Sequence, residues 1–495
     1  MNGLADCPSL PRLRSMVLGL LMTAGGALAA PAQQGGEAPS SAPVPDGARA
    51  NGGAGAPEQS VPEGWERAQP DKGYGPAAAE ILGFQFLLNR FDHAFVGADY
   101  GVSAASIRRN LRSSWVLDRD PFEINQIGHP YQGSVYHNLA RSNGLTFWES
   151  LGYAFAGSAV WEVAGETTAP SRNDQITTSF GGSFLGEAFY RMANLVLEQG
   201  YGLSPPWREA AAAVVAPSLG FNRYVRPGRA SGLWASHSPA LYSRLQLGAS
   251  ATRHGTVGPS RSTARNEAAA DFALEYGLPG KPGYTYRRPF DYFRFRLRAS
   301  SVQGVERLGS QGLLFGAPYG SGARLRGIAG LYGSYDYLSP QLFRVASTGL
   351  SVGSNAQWWL ADGLSVQGHA SGGVGYTSTG TVRGTSDRQY NYGFAPQAAL
   401  SLRLAAGDRL AFEVDARKFF NGKLTSPETG GTDQVLRADA TLTYRLYRQH
   451  ALALKYITSR RRFAFPDVVE VQQRRDTLGL YYSYQPTQGF GAVRW

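Results

Sequence analysis

Phe293-Arg294-Phe295-Arg296-Leu297-Arg298 alternates apolar side chains with guanidinium groups without a break. In an extended chain, successive side chains point to opposite faces. Phe293, Phe295 and Leu297 therefore share one surface, and Arg294, Arg296 and Arg298 share the other. An Arg held against hydrocarbon at mid-depth costs about 2–4 kcal/mol. Three arginines in a row must then face a polar interior, with the Phe and Leu row turned toward lipid. The same alternation recurs downstream. Leu410, Phe412, Val414 and Ala416 oppose Glu413, Asp415 and Arg417. Leu436, Ala438, Ala440, Leu442 and Tyr444 oppose Arg437, Asp439, Thr441, Thr443 and Arg445. Leu452, Leu454 and Tyr456 make another apolar face, as do Leu478, Leu480, Tyr482 and Tyr484.

Connections between these segments alternate in length. Those at 405–408 and 447–450 are short, whereas 377–391, 420–434 and 460–475 are long and polar. Short turns at one end and long loops at the other are the pattern of an antiparallel up-and-down membrane barrel, here of about 12 strands. A soluble β-sandwich explains the alternation but not the repeated long loops or the density of Tyr. The sequence closes on Gly491, Val493 and Trp495, which share a face if the end is extended. A terminal aromatic on the last strand would serve as an assembly signal. Pro486 interrupts that stretch, so either one long final strand contains it or the strand count changes by one.

Composition agrees with a barrel. Charged residues make up 17% of the 495 residues, well below a typical soluble domain, while 26 Tyr and 62 Gly are present. Arg12 and Arg14 precede an apolar stretch from Met16 to Ala29 that ends in Ala27-Leu28-Ala29, a secretory signal with cleavage near Ala29. Residues 30–74 are rich in Ala, Gly and Pro and read as a disordered linker. The single cysteine, Cys7, lies before the apolar stretch, so a processed chain has no thiol for a disulfide, a zinc site or a nucleophile. After residue 30 no apolar run reaches the length of a membrane helix, so a membrane role requires strands. The net charge of +11 suits anionic lipid or lipopolysaccharide in an exported protein better than nucleic acid.

Residues 75–205 have helical character, and the barrel is expected over 206–495. Thr146 and Glu149 form a capping box for a helix from Phe147 to about Ala164. Ser171 and Asp174 make a weaker version for a helix from Asp174 to about Leu197, with Gly200 beyond it. Small residues four apart, Gly152 with Ala156 and Gly182 with Gly186, predict a tight hairpin between these two helices. Only 12 residues separate Glu149 from Glu162, too few to cross a bilayer, so the hairpin is expected inside protein, as a plug in the barrel or a periplasmic cap beneath it.

Several strings in this region carry a resemblance. They are Ser106 to Asn110, Trp115, Asp118-Arg119-Asp120, His129 to Ser134, Ala140 to Gly144 and Phe147 to Ser150. Trp161-Glu162, Glu166, Ser171, Asn173-Asp174, Gly186-Glu187 and Tyr190-Arg191 extend the pattern. Residues 106–198 resemble the bacterial family known as domain of unknown function 3943. The resemblance implies an envelope protein and supplies no activity.

Three chemistries compete for the polar residues of this region. Arg141, Glu149, Glu162, Glu166, Asp174, Glu187 and Arg191 can form a structural network that meets the lumenal arginines, with Glu187 and Arg191 paired along one helix. Ser134 with His129 or His137, oriented by Asp118 or Asp120, has the residue types of a lipid hydrolase, although no G-x-S-x-G elbow is present. Asp118, Asp120, Asn125 and His129 suggest Ca²⁺ but lack the glycine and terminal glutamate of an EF-hand, so no metal or other cofactor is expected. These readings lead to an outer-membrane barrel that passes anionic solutes or serves envelope structure. The alternatives are a lipid hydrolase acting on phospholipid or lipopolysaccharide and a non-catalytic scaffold. Expected partners are outer-membrane lipid, lipopolysaccharide and the barrel-assembly machinery, with no nucleic acid.

Overall fold

Twelve antiparallel strands close on themselves, β12 pairing back onto β1 with Leu245 opposite Tyr484. The computed structural model describes residues 72–227, 238–256, 263–381, 390–421, 431–465 and 468–495. The expected signal, its cleavage near Ala29 and all but the last residues of the expected linker lie outside them. The strands are β1 Leu241–Thr256, β2 Thr263–Tyr276, β3 Phe293–Ser300, β4 Gly304–Ser321, β5 Leu325–Leu338 and β6 Phe343–Ala361. They continue as β7 Leu364–Thr381, β8 Tyr390–Ala406, β9 Leu410–Asn421, β10 Thr432–Tyr447, β11 His450–Phe465 and β12 Val468–Tyr484. Each strand pairs with its sequence neighbours, as an up-and-down barrel requires. The 460–475 stretch differs from its expected loop. β11 and β12 stay paired up to Phe465 opposite Val468, so it is the tip of a strand hairpin.

The Arg row of β3 faces the lumen. Arg294 Nη2 reaches Asp415 of β9 across the barrel at 2.9 Å, and Arg296 Nη2 reaches Glu275 of β2 at 2.7 Å. Arg298 Nε meets Glu306 at 2.8 Å. Further pairs cross the interior: Arg403 with Glu275 at 3.0 Å, Arg307 with Asp439 at 2.9 Å and Arg475 with Glu306 at 2.7 Å. Apolar clusters close both ends of this polar middle. At one end Leu338, Phe343, Val345, Phe419 and Val435 pack together. At the other, where β1 begins and β12 ends, Tyr242, Tyr292, Leu313, Tyr332 and Phe490 do so.

Phe490 belongs to a tail that corrects the expected final strand. Beyond Tyr484 the chain turns across this end of the barrel. Val493 O accepts hydrogen bonds from Gln357 Nε2 at 2.6 Å and Trp359 Nε1 at 3.0 Å, and Trp495 Nε1 donates to Ala323 O at 2.9 Å. Trp495 is therefore not on a strand, and Pro486 marks the exit from β12.

The outer wall has two characters. On β8, β11 and β12 the outward Leu402, Leu404, Leu452, Leu454, Leu478 and Leu480 are exposed, an apolar band of the outer-membrane type. On β2 to β6 a patch of outward side chains, among them Phe272, Phe295, Leu308, Tyr335 and Ala346, is buried beneath helices, while Phe315, Leu350 and Val352 stay exposed. These helices are α1 Tyr74–Phe95, α2 Ala104–Asn110, α3 His129–Ser142, α4 Phe147–Ala164, α5 Arg172–Ile176, α6 Gly182–Gln199, α7 Pro205–Val215 and α8 Pro217–Val225. Phe189 of α6 packs on Phe295 with ring centroids 5.8 Å apart, and Ser310 of β4 donates to the Phe184 carbonyl at 2.8 Å. One apolar core joins Phe184, Leu185 and Phe189 to Phe293, Leu297, Leu308 and Tyr335.

The helical domain therefore neither plugs the lumen nor caps it from beneath; it rides on the outside of the wall. The reason is physical. The barrel fills its own interior with paired charge, while the Phe and Leu face of β3 offers α6 a surface to bury. The helical carboxylates and the lumenal arginines lie on opposite sides of the sheet and do not meet. The domain is also longer than expected. Pro205 and Pro206 start a helix where proline is tolerated, Ala-rich sequence continues it, and strands begin only at Leu241.

The predicted helix–helix approach exists with a different partner. Gly182 and Gly186 face α3, where Gly182 stands against Gly133 and Gly186 against Ser134, while Gly152 of α4 meets no atom on its open side. A Cβ at Gly133 would lie 1.8 Å from the Thr178 carbonyl oxygen. Gly133→Ala is expected to separate α3 from α6 and destabilise the domain by about 1–3 kcal/mol or more. Gly152→Ala should be neutral or stabilise by about 0.5–1 kcal/mol. Limited proteolysis of the two variants in detergent checks the contrast.

Candidate functional site

Most of the polar residues singled out in the helical domain gather in two clusters, one between α3 and α6 and one where α4 and α5 meet the start of α3. A π-helical turn precedes both α3 and α6, Ile124–Gly128 before α3 and Thr177–Gly181 before α6. The two turns meet where His129 Nδ1 lies 3.3 Å from Thr178 Oγ1. Such turns are uncommon and recur at functional positions.

The first cluster surrounds Glu187, fully buried on α6. Arg141 of α3 donates from Nε to its Oε2 at 2.8 Å, Arg191 one turn along donates to Oε1 at 2.9 Å, and His137 Nε2 lies 3.1 Å from Oε2. Burial alone would raise the Glu187 pKa, but Arg141, His137 and Arg191 hold it well below the carboxylate range. Burial also pushes the His137 imidazole down despite the carboxylate, so the ring is neutral and donates from Nε2. Arg191 continues outward to Asp291 at 3.0 Å, in the connection between β2 and β3. The cluster thus ties α3 and α6 together and fastens both to the barrel.

The second cluster is acidic and lies at the other end of the domain. Glu162, at the end of α4, accepts the Ser171 backbone N–H at 2.8 Å. Asp174 follows on α5, 4.0 Å from His129 Nε2. Glu166 accepts from the Trp161 indole at 2.7 Å. Asp118 accepts from Asn125 Nδ2 at 2.9 Å and from the Asp120 backbone at 2.8 Å. Burial, then repulsion from Asp174 and Glu166, raises Glu162 well above the usual range. Burial and Asp118 do the same to Asp174. Burial brings Glu166 to about 7 and Asp92, near His129, to about 6. Asn173 Nδ2 and Asn125 Nδ2 reach Tyr392 and Tyr390 on the outer face of β8, at 2.9 and 2.8 Å.

Residues 114–218, which hold most of both clusters, match the family model described as a domain of unknown function (DUF3943). The chain carries a DUF3943 domain. No curated protein matches the chain. Among solved structures, the outer membrane channel DcaP of Acinetobacter baumannii shares 9% identity, with 50% of this chain and 96% of that chain covered and a TM-score of 0.24. An outer membrane channel of Pseudomonas putida F1 shares 10%, with 50% and 96% covered and a TM-score of 0.27. The Pseudomonas putida toluene transporter TodX shares 11%, with 51% and 90% covered and a TM-score of 0.20.

Within the DUF3943 domain, the candidate hydrolase residues are not assembled. The Ser134 hydroxyl donates to the Tyr131 carbonyl at 2.6 Å, within its own helix. His137 serves Glu187, and His129 lies beside Asp174 and Thr178. Asp118 holds Asn125 and the Asp120 backbone. Asn125 turns its amide nitrogen, a donor, toward Asp118, and among the described residues no group of three His or acidic side chains converges on an ion position. Glu149 completes the expected capping box with Thr146 and also receives Lys72 Nζ at 2.8 Å. Asn173, Thr178, Tyr390 and Tyr392 were not singled out for these roles. Asn173 stood only within the strings that carry the family resemblance, and the two tyrosines are more than 200 positions away in sequence.

Removing the hub of the first cluster takes the carboxylate from buried Arg141 and leaves Arg191 with Asp291 alone as its carboxylate partner. Glu187→Ala is expected to cost about 3–5 kcal/mol. Glu149→Ala, at a partly exposed cap, should cost about 1 kcal/mol. Urea unfolding of the detergent-solubilised protein ranks them. The second cluster has its own signature. A carboxylate whose folded-state pKa lies above the unfolded value contributes stability that is present below about pH 4.5 and is lost as pH rises through about 7. Domain stability should therefore fall by about 1–3 kcal/mol between pH 5 and pH 8. Glu166→Gln should flatten that slope, as read by thermal melts across the window.

Proposed function

We propose that this protein is an outer-membrane barrel with a sealed lumen, which anchors the DUF3943 domain at the membrane and conducts no solute. The carrying observation is the filled interior. Ion pairs bridge opposite walls, and apolar clusters with the C-terminal tail close the ends. Passage of anionic solutes would require cationic side chains available to the solute, and Arg294, Arg296 and Arg298 are each engaged with a carboxylate. The scaffold reading needs no such rearrangement. The hydrolase reading would need Ser134 to leave its backbone acceptor and gain a histidine.

Export by the N-terminal signal, insertion by the barrel-assembly machinery and contact with outer-membrane lipid and lipopolysaccharide complete this reading. The end that holds the start of β1 and the finish of β12 also holds short turns at 322–324, 362–363, 407–409 and 448–449. That end faces the periplasm.

Planar bilayer recording tests the proposal. The wild-type protein should give no conductance steps. A variant lacking both partners of a cross-lumen pair and the end closure, Arg403→Ala with Glu275→Ala and Phe490→Ala, should conduct. Anion-selective steps from the wild type would overturn the reading.

A further inference from the structure

The DUF3943 domain and the helix before it carry an apolar surface that no other part of the described chain covers. α1 exposes Leu82, Phe86, Leu87 and Phe91, and α4 exposes Phe155 and Val160. The two helices are neighbours, since Gln85 Nε2 donates to the Gly157 carbonyl at 2.6 Å. From Ala79 to Leu87 the exposed positions of α1 carry no charge. Its Glu80 and Asn89 turn inward, where Glu80 holds Asn143 and Asn222, and Asn89 donates to Gly165, while Arg90, nearer the end of the helix, is exposed with its guanidinium 6.0 Å from the Phe86 ring.

We propose that this surface is covered by the acyl chains of membrane lipid, so the helical domain sits within the hydrocarbon layer beside the barrel. Continuity with the barrel's own apolar band carries the inference. Trp148, in the first turn of α4, stacks on the outward ring of Phe315 in β4, with centroids 5.2 Å apart and planes 12° apart. Both rings stay exposed, so the face of α4 runs without a break into the bare wall, where Leu350 and Val352 follow on β6.

Height agrees as well. α4 starts beside Phe315, toward the periplasmic end, and finishes at Glu162 beside Ser171. Two residues on, Asn173 bonds Tyr392 near the opposite end of the wall. Its 18 residues rise about 27 Å, close to the thickness of a hydrocarbon core. No helix among the described residues is long and apolar enough to cross a membrane alone. None needs to, because α1 and α4 show lipid one apolar face and bury Glu80, Asn89 and Glu162 against the domain. The Glu162 carboxylate is satisfied inside, and Glu149 sits at the periplasmic end with Lys72.

The inference rests on the membrane reading above, and one experiment separates the two. Single cysteines for spin labelling are placed at Phe86 and Phe155, with Leu480→Cys on the bare wall and Arg112→Cys as controls. After reconstitution in phospholipid vesicles, collisions with oxygen and with a water-soluble nickel chelate are measured. Labels at 86 and 155 should match the label at 480, favouring oxygen, and differ from 112. If 480 itself favours nickel, the membrane reading fails. If 480 favours oxygen while 86 and 155 favour nickel, only this inference fails. Labels at 86 and 155 shielded from both reagents would mean a protein neighbour and would also overturn it. All four sites are exposed. A heat-dependent shift in gel mobility, present in each variant, confirms that the barrel has folded.

Discussion

A guanidinium group cannot be left unpaired away from water, and this structure is arranged around that constraint. The β3 arginines need a polar interior, so the sheet closes with them inside. Once inside, they need carboxylates: Asp415 on the far wall serves Arg294, the neighbouring strands supply Glu275 for Arg296 and Glu306 for Arg298, and Arg403 of β8 reaches Glu275 from the opposite side. These crossings occupy the space that a pore would use. The same rule governs the helical domain, where Arg141 and Arg191 converge on Glu187. Charge is buried twice, on either side of one sheet. The two sets stay separate because each is already satisfied locally.

Much of the barrel was legible in the sequence because period-two alternation is a local signal. The inward rows 413, 415, 417 and 437, 439, 441 were correctly assigned, as was a count near twelve. Alternation reports which residues share a face but not what covers that face. Phe293, Phe295 and Leu297 look like any lipid-facing row, yet α6 covers them. Their burial depends on contacts with residues about 100 positions earlier, which periodicity does not encode. The tail at 485–495 misled for a related reason. Gly491, Val493 and Trp495 keep the spacing of a strand, while Gly489 and Phe490 turn into the left-handed region and break it.

In the DUF3943 domain, helix starts and the Glu187 to Arg191 pair were readable because they depend on spacings of three and four residues. The polar clusters were readable only as composition. Ser134, His129, His137 and the aspartates have the residue types of a hydrolytic site, and their chemistry depends on angles that no spacing fixes. Gly182 and Gly186 correctly signalled a close crossing. They did not identify its partner, α3, whose Gly133 lies beneath the Thr178 carbonyl.

The C-terminal tail ties the order of assembly to the finished shape. Its resting place is made by Gln357 and Trp359 on β6, Arg403 on β8 and the turn at Ala323. These lie along the contiguous β4 to β8 part of the wall, and Tyr242 of β1 packs in the same cluster as Phe490, so the complete docking position needs β1 as well as that part. The residues beyond Tyr484 therefore settle only after these strands have come together. Their settling acts as a latch between β1 and that part of the wall.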